Sequence, residues 1–153
     1  MRSIQIHPTS LTPYGHGVRR LPAWFPPEAA TMTTASFNNT YAPTGAIALD
    51  DLRVEPGAAD MVRCTAHMTV AARTVSLEAT AAGTIGAMTS MLYDIGAGVE
   101  IMSFYQQTEG AEIITYLLCD RDGDRCWSYG RGRTGDESAV NALISGANQL
   151  AKG

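Results

Sequence analysis

No stretch of this 153-residue sequence approaches the ~18 consecutive apolar residues that a membrane-spanning helix requires. The opening MRSIQIHPTS has one Arg and no apolar h-region, so no signal peptide is expected. Charge is sparse and leans acidic, with 15 Asp and Glu against 11 Lys and Arg. A net charge of −4 argues against non-specific attraction to a nucleic-acid backbone. Cysteine is scarce: Cys64, Cys119 and Cys126 form an odd set without metal-ligand spacing. That usage fits free thiols in the cytoplasm rather than a disulfide framework. The histidines, His7, His16 and His67, are scattered, and no G-x-S-x-G, H-x-x-x-H, C-x-x-C or P-loop motif occurs. Neither catalytic residues nor a metal site nor a cofactor is therefore expected. The chain is too short for a TIM barrel, which takes about 250 residues, yet long enough to bury roughly two-thirds of its unfolded surface.

What is present divides unevenly. Six of the seven prolines (Pro8, Pro13, Pro22, Pro26, Pro27, Pro43) fall in the first 45 residues, beside a His-Gly-rich stretch at Tyr14 to Gly17. Residues 1–40 read as an irregular arm, with Trp24 and Phe25 as anchors that pin it to the body. A short helix is expected over Thr31 to Tyr41, because Phe37 and Tyr41 are spaced i, i+4.

Residues 41–153 carry the regular patterns. Ala46 to Val54 alternates, interrupted at Asp50-Asp51 as by a bulge. Met61 to Val70 puts Val62, Cys64, Ala66, Met68 and Val70 on one face, and Arg73 to Ala81 continues the alternation after only Ala71-Ala72. These two strands make a hairpin. The period then becomes helical through Ile85, Met88, Met91, Leu92 and Ile95, with Thr84 as N-cap and Gly96 at the C-cap. The pattern repeats: Val99 to Gln107, a Thr108-Glu109-Gly110 turn, Glu112 to Cys119, the turn DRDGD at Asp120 to Asp124, and Arg125 to Arg131. Thr134 and Glu137 then form a T-x-x-E box ahead of a helix with Val140, Leu143, Ile144, Ala147 and Leu150 on its apolar face. The fold class is α+β, two consecutive β-β-β-α units of about 50 residues each. In each unit one helix lies on the face of an antiparallel three-stranded sheet.

The remaining polar clusters have ordinary readings. Asp120, Asp122 and Asp124 suit a hairpin turn better than a cation loop. Arg131-Gly132-Arg133 suits a strand end better than a phosphate contact. Ala81-Ala82-Gly83-Thr84 is more suggestive, because small residues at a helix start expose N–H groups that receive a carboxylate.

From that segment onward the sequence resembles a known family. Gly83-Thr84-Ile85-Gly86-Ala87-Met88, Asp94-Ile95-Gly96 and Val99-Glu100-Ile101-Met102-Ser103-Phe104-Tyr105 resemble its Gly-rich turn, helix and aromatic strand. Trp127-Ser128-Tyr129-Gly130 stands where the family has W-G-x-G, Ser145 and Asn148 stand in its closing S-A-x-N helix, and Phe37 and Tyr41 match a preceding F-x-x-x-Y. The family is the C-terminal regulatory and dimerisation domain of 2-isopropylmalate synthase and citramalate synthase, and the resemblance covers residues 37–153.

The resemblance implies a homodimeric module that binds an end-product amino acid, usually leucine, and inhibits a barrel-type synthase of leucine biosynthesis. Its ligand-binding set falls on Gly83, Thr84, Ile85, Ile101, Phe104, Thr108 and Ala111. Where the family has D-Y-x-E-H-A, this chain has Ser103-Phe104-Tyr105-Gln106-Gln107-Thr108, which changes the shape and polarity of the implied pocket. The catalytic barrel is missing. The leading expectation is a stand-alone cytoplasmic binding module for a branched-chain amino acid or related carboxylate, acting on a separately encoded synthase, without nucleic-acid or membrane partners. Two alternatives stand beside it. One is a small enzyme of specialised metabolism that reuses the pocket through Tyr105, Gln106, Gln107, Thr108, His67 or Arg131. The other is a ligand-free dimerisation module.

Overall fold

Side-chain alternation and helical periodicity produce the expected architecture. The structure, a computed structural model, describes residues 20–151 and the backbone of 4–6. The His-Gly-rich stretch, His7 and His16 lie outside the described residues. Strand β1 (Ile4–Ile6) is followed by a 3₁₀ turn (Pro27–Thr31), helix α1 (Thr34–Tyr41), strands β2 (Ile47–Pro56), β3 (Val62–Val70) and β4 (Arg73–Ala81), and helix α2 (Thr84–Asp94). Strands β5 (Glu100–Glu109), β6 (Glu112–Arg121) and β7 (Asp124–Gly132) then precede helix α3 (Gly135–Leu150). All pairings are antiparallel, in two sheets ordered β1-β2-β3-β4 and β5-β6-β7. Each run of three consecutive strands is closed by a helix, an α+β fold of two β-β-β-α units. The first sheet has one strand more than expected, because β1 pairs with Leu52 to Val54 on the free edge of β2. Among the described residues no helix is long and apolar enough to cross a membrane.

Local chemistry fixes the registers. The β2–β3 pairing slips between Leu49 and Asp51, at the expected bulge, so Leu49 and Leu52 both face inward. Ala71 and Ala72 take positive φ in a two-residue hairpin turn, as do Asp122 and Gly123. This backbone matches the twist of the flanking strands. The β5–β6 turn is Gly110-Ala111 rather than Thr108-Glu109-Gly110, since Thr108 and Glu109 still pair with Ile113 and Glu112. Helix α2 is capped by Gly83, not Thr84, which is already helical; Ile95 is the C-cap and Gly96 follows at φ +77. At α3, Thr134 accepts from the Glu137 N–H, while the Glu137 carboxylate accepts from Arg133 N–H rather than from the cap residue itself.

The main core takes one face of each sheet and both α2 and α3. Helix α2 lies on β3 and β4, and α3 lies on β6 and β7 while also touching β2 and α2. Helix α3 is consequently buried on two sides. Ser138, Ala142 and Gly146 meet the second sheet, and Val140, Leu143, Ile144 and Ala147 join the core shared with the first. Asn148 ties the layers together: its amide oxygen accepts from Ile47 N–H at 2.9 Å and its amide nitrogen donates to Ile47 C=O at 2.9 Å.

The outer faces differ. On the first sheet Arg63, Thr65, His67 and Thr69 face outward, with Arg63–Glu55 and His67–Asp51 ion pairs and a Thr69–Asp50 hydrogen bond. On the second, Ile114, Tyr116 and Tyr129 are covered by Phe25, Ala29, Phe37 and Tyr41 of the arm. The rings pack edge-on or tilted at 4.7 to 5.3 Å, the geometry that aromatic quadrupoles favour. Trp127 Nε1 donates to the Trp24 carbonyl at 3.0 Å, and the Tyr129 hydroxyl donates to Asn38 Oδ1. Trp24 and Phe25 thus anchor the arm as expected, although its 3₁₀ turn ends at Thr31 and α1 starts only at Thr34.

The approach of α3 to β7 is closest at Gly130, where a Cβ would stand 2.3 Å from Ala142 N and 2.4 Å from Ser138 O. Both obstacles are helix backbone and cannot swing aside. Gly130→Ala is therefore expected to remove about 3 kcal/mol of stability, read as a lowered urea midpoint. An unchanged midpoint would show that helix and strand can part without cost.

Candidate functional site

Two helix N-termini meet at one end of the shared core. Gly83, extended at φ −159 and ψ 169, leads into α2 without offering a side-chain cap. Opposite it, the first turn of α3 carries Asp136 and Glu137. Thr84 is buried, and its hydroxyl donates to Asp136 Oδ2 at 2.9 Å. The β2–β3 loop closes the third side, folded by Gly57 N–H to Met61 O at 2.7 Å, with Ala59 and Asp60 at positive φ.

These segments enclose an open cavity of about 480 Å³. Val54, Pro56, Met61 and Val62 supply an apolar wall; Gly83 and Thr84 bring the start of α2; Glu55, Asp60 and Asp136 supply carboxylates. Arg63 neutralises Glu55 at 3.0 Å. Cys64 lies against Thr84 at the core side, and burial together with the Asp136 carboxylate pushes its thiol up to about 11. It stays protonated at neutral pH. The cavity combines N–H groups at a helix start, which attract anions, with carboxylates that attract cations. That combination complements a zwitterion better than a simple anion.

The residues implied by the resemblance separate in the fold. Gly83 and Thr84 line the cavity. Ile85 is half-buried in the first turn of α2, and Ile101 is half-buried beside the core. Phe104 lies on β5, an edge strand, and is 45% exposed. Thr108 and Ala111 are exposed at the far hairpin end. Ile85, Ile101, Phe104, Thr108 and Ala111 do not line the cavity. Asp136, Asp60, Met61 and Val62 do line it and are absent from the implied set. Only the T-x-x-E box hinted at Asp136, by placing it in the first turn of a helix.

The side chains considered for catalysis do not converge either. Gln106 Nε2 is tied to Thr115 Oγ1, Gly135 O and Ser138 Oγ under the start of α3. Gln107 donates to Arg20 O and Tyr116 Oη on the opposite face. His67 sits across from Asp51 on the outer face of the other sheet. Arg131 is only 5% exposed and pairs with Glu112 at 2.8 Å and Glu109 at 3.7 Å, so it is turned away from any phosphate. Asp120 accepts from Gly123 N–H and Arg125 Nε, the work of a turn residue. Among the described residues no group of three or more His, Cys, Asp and Glu is placed to hold a metal.

Compared with known proteins, the chain matches no family model and no curated protein.

The Thr84–Asp136 bond fastens the starts of α2 and α3. A part-buried hydrogen bond to a charged group contributes about 1.5–3 kcal/mol at most. Thr84→Val and Asp136→Ala should each cost about 1–2 kcal/mol, with a coupling of about 1 kcal/mol in a double-mutant cycle. Urea denaturation of the four proteins checks it, and a coupling near zero would mean that the two helix starts are held independently.

Proposed function

We propose that the chain is a stand-alone amino-acid-binding module of the kind that its sequence resembles, the regulatory domain of 2-isopropylmalate synthase. The supporting observation is the cavity at the start of α2, where an apolar wall, helix N–H groups and unequal charges converge. In this reading the first-turn N–H groups of α2 receive the ligand carboxylate. Asp136 and Asp60 receive its ammonium, and Val54, Met61 and Val62 hold a branched side chain. Burying such a side chain contributes only about 1.5–3 kcal/mol. Even millimolar binding needs about 4 kcal/mol, so both charged groups must be recognised. The ligand then acts on a separately encoded synthase.

The module works as a homodimer in this reading. Edge strand β5 presents Met102, Phe104 and Tyr105, each more than 40% exposed. Large apolar side chains on an edge strand are a liability that natural proteins cover, and a second copy covers them. Sedimentation equilibrium then reads twice the 16.3 kDa chain mass; a monomer at all concentrations would remove this part of the proposal.

Leucine, isoleucine or valine at a hundredfold excess over Kd should raise the unfolding free energy by about 2.7 kcal/mol. The corresponding 2-oxo acid, which lacks the ammonium, should give no shift. Asp136→Asn should weaken amino-acid binding at least tenfold, about 1.4 kcal/mol. Thermal unfolding with each compound reads all three effects. A flat response across the amino acids, or equal responses to amino acid and oxo acid, would overturn the reading.

A further inference from the structure

Two of the three thiols are neighbours, although sequence spacing did not pair them. Cys119 on β6 and Cys126 on β7 are direct register partners, on the sheet face beneath α3. Opposed residues of an antiparallel pair have Cα atoms about 4.5–5.5 Å apart, and a disulfide spans Cα separations of about 4.4–6.8 Å. The Cα spacing of such a pair lies within a disulfide's reach, and its Cβ atoms, about 4.5–5.5 Å apart, need close only to about 3.5–4.5 Å. The third thiol, Cys64, lies on β3 in the other sheet. Cys119 is fully buried and Cys126 is 7% exposed. Their cover is the C-terminal half of α3: Cys126 Sγ donates to Gly146 O at 3.6 Å, and a Cβ on Gly146 would lie 2.8 Å from Cys119 Sγ. Beside Cys119, Ser128 Oγ stands 3.9 Å away.

We infer that Cys119 and Cys126 form a dithiol–disulfide pair oxidised by a peroxide-class oxidant. The two sulfurs act on each other: their contact holds the Cys119 thiol below its ordinary range against the effect of burial, and the same contact together with burial pushes Cys126 up. One sulfur of the pair, as thiolate, attacks one oxygen of hydrogen peroxide, the O–O bond breaks, and the departing hydroxide takes a proton to leave as water. That sulfur becomes a sulfenic acid. The second sulfur then attacks it, the S–O bond breaks, and a second water leaves with the second thiol's proton. Two thiols have lost two electrons and two protons, and the peroxide has become two waters.

Oxidation removes the Cys126 S–H that donates to Gly146 O. Two residues further along the same helix, Asn148 holds Ile47 of the other sheet. The pair thereby reports oxidation to the junction between the sheets. Access requires local opening of the C-terminal turns of α3.

The test uses the native chain, incubated with hydrogen peroxide, quenched, denatured and alkylated. Intact mass is expected to show the loss of two hydrogens and a single alkylated thiol. Peptide mapping should place the link between Cys119 and Cys126. Cys64→Ser should retain the link, and Cys119→Ser or Cys126→Ser should abolish it. The Ile47 amide should exchange faster with solvent in the oxidised protein. Three alkylatable thiols after the amides of residues 144–150 have exchanged, a link through Cys64 or between chains, or sulfinic acid on Cys119 beside a free Cys126 would overturn the pair. An unchanged Ile47 exchange rate would overturn its coupling to the junction.

Discussion

The distance between α3 and the β6–β7 hairpin sets the geometry of this protein. The helix can lie so close because side chains have been removed from both surfaces. Gly130 and Gly132 face it from the strand, and Ser138, Ala142 and Gly146 face the strand from the helix. At that range hydroxyls satisfy backbone and side-chain partners instead of holding the layers apart. Ser128 Oγ donates to Ala142 O at 2.8 Å, and the Thr115 and Ser138 hydroxyls lie 2.6 Å apart. Bringing the helix in leaves its opposite side free for Val140, Leu143 and Ile144 to join the core of the first sheet. A bulkier contact on one side would lift the helix into the other, and the cleft between the two helix starts would change shape with it.

The two sheets share a core yet meet solvent differently. The outer face of the first is laced with threonines and ion pairs and carries no cover among the described residues. The outer face of the second is aromatic and is closed by the arm, which contributes Phe25, Phe37 and Tyr41 to a cluster with Tyr116 and Tyr129. Residues 21–42 are therefore an integral layer of the structure. Pro22, Pro26 and Pro27 fix φ on either side of Trp24 and Phe25, which lowers the entropy lost when these residues settle on the sheet.

Sequence patterns made the strands legible, because one face of each is buried and a one-residue slip would invert it. The bulge was legible for the same reason: Asp50-Asp51 breaks an alternation that Leu52 resumes. The capping box was visible at Thr134 and Glu137, whereas Thr84 was misplaced by one position. Its hydroxyl resembles a cap but is used for Asp136, 52 residues away. Burial of α3 on two sides was hidden, since small residues such as Ala142 and Gly146 give no periodic signal. Strand β1 is too short for alternation to be informative. Of the candidate site, the start of α2 was readable as small residues before a helix; the acidic wall was not, because Asp60 and Asp136 meet only through tertiary structure.

Asn148 acts as a substitute strand for the first residue of β2, supplying with its side-chain amide the donor and acceptor of a peptide group. The two partners are 101 residues apart, so almost the whole module lies between the groups that this contact joins. Contacts of such separation are slow to form, because a long loop must close before they contribute. During synthesis, β2 leaves the ribosome long before the helix that completes its edge. The first sheet can assemble early, but its final hydrogen bonds wait for the last helical turn, and the module is sealed only when that turn has been made.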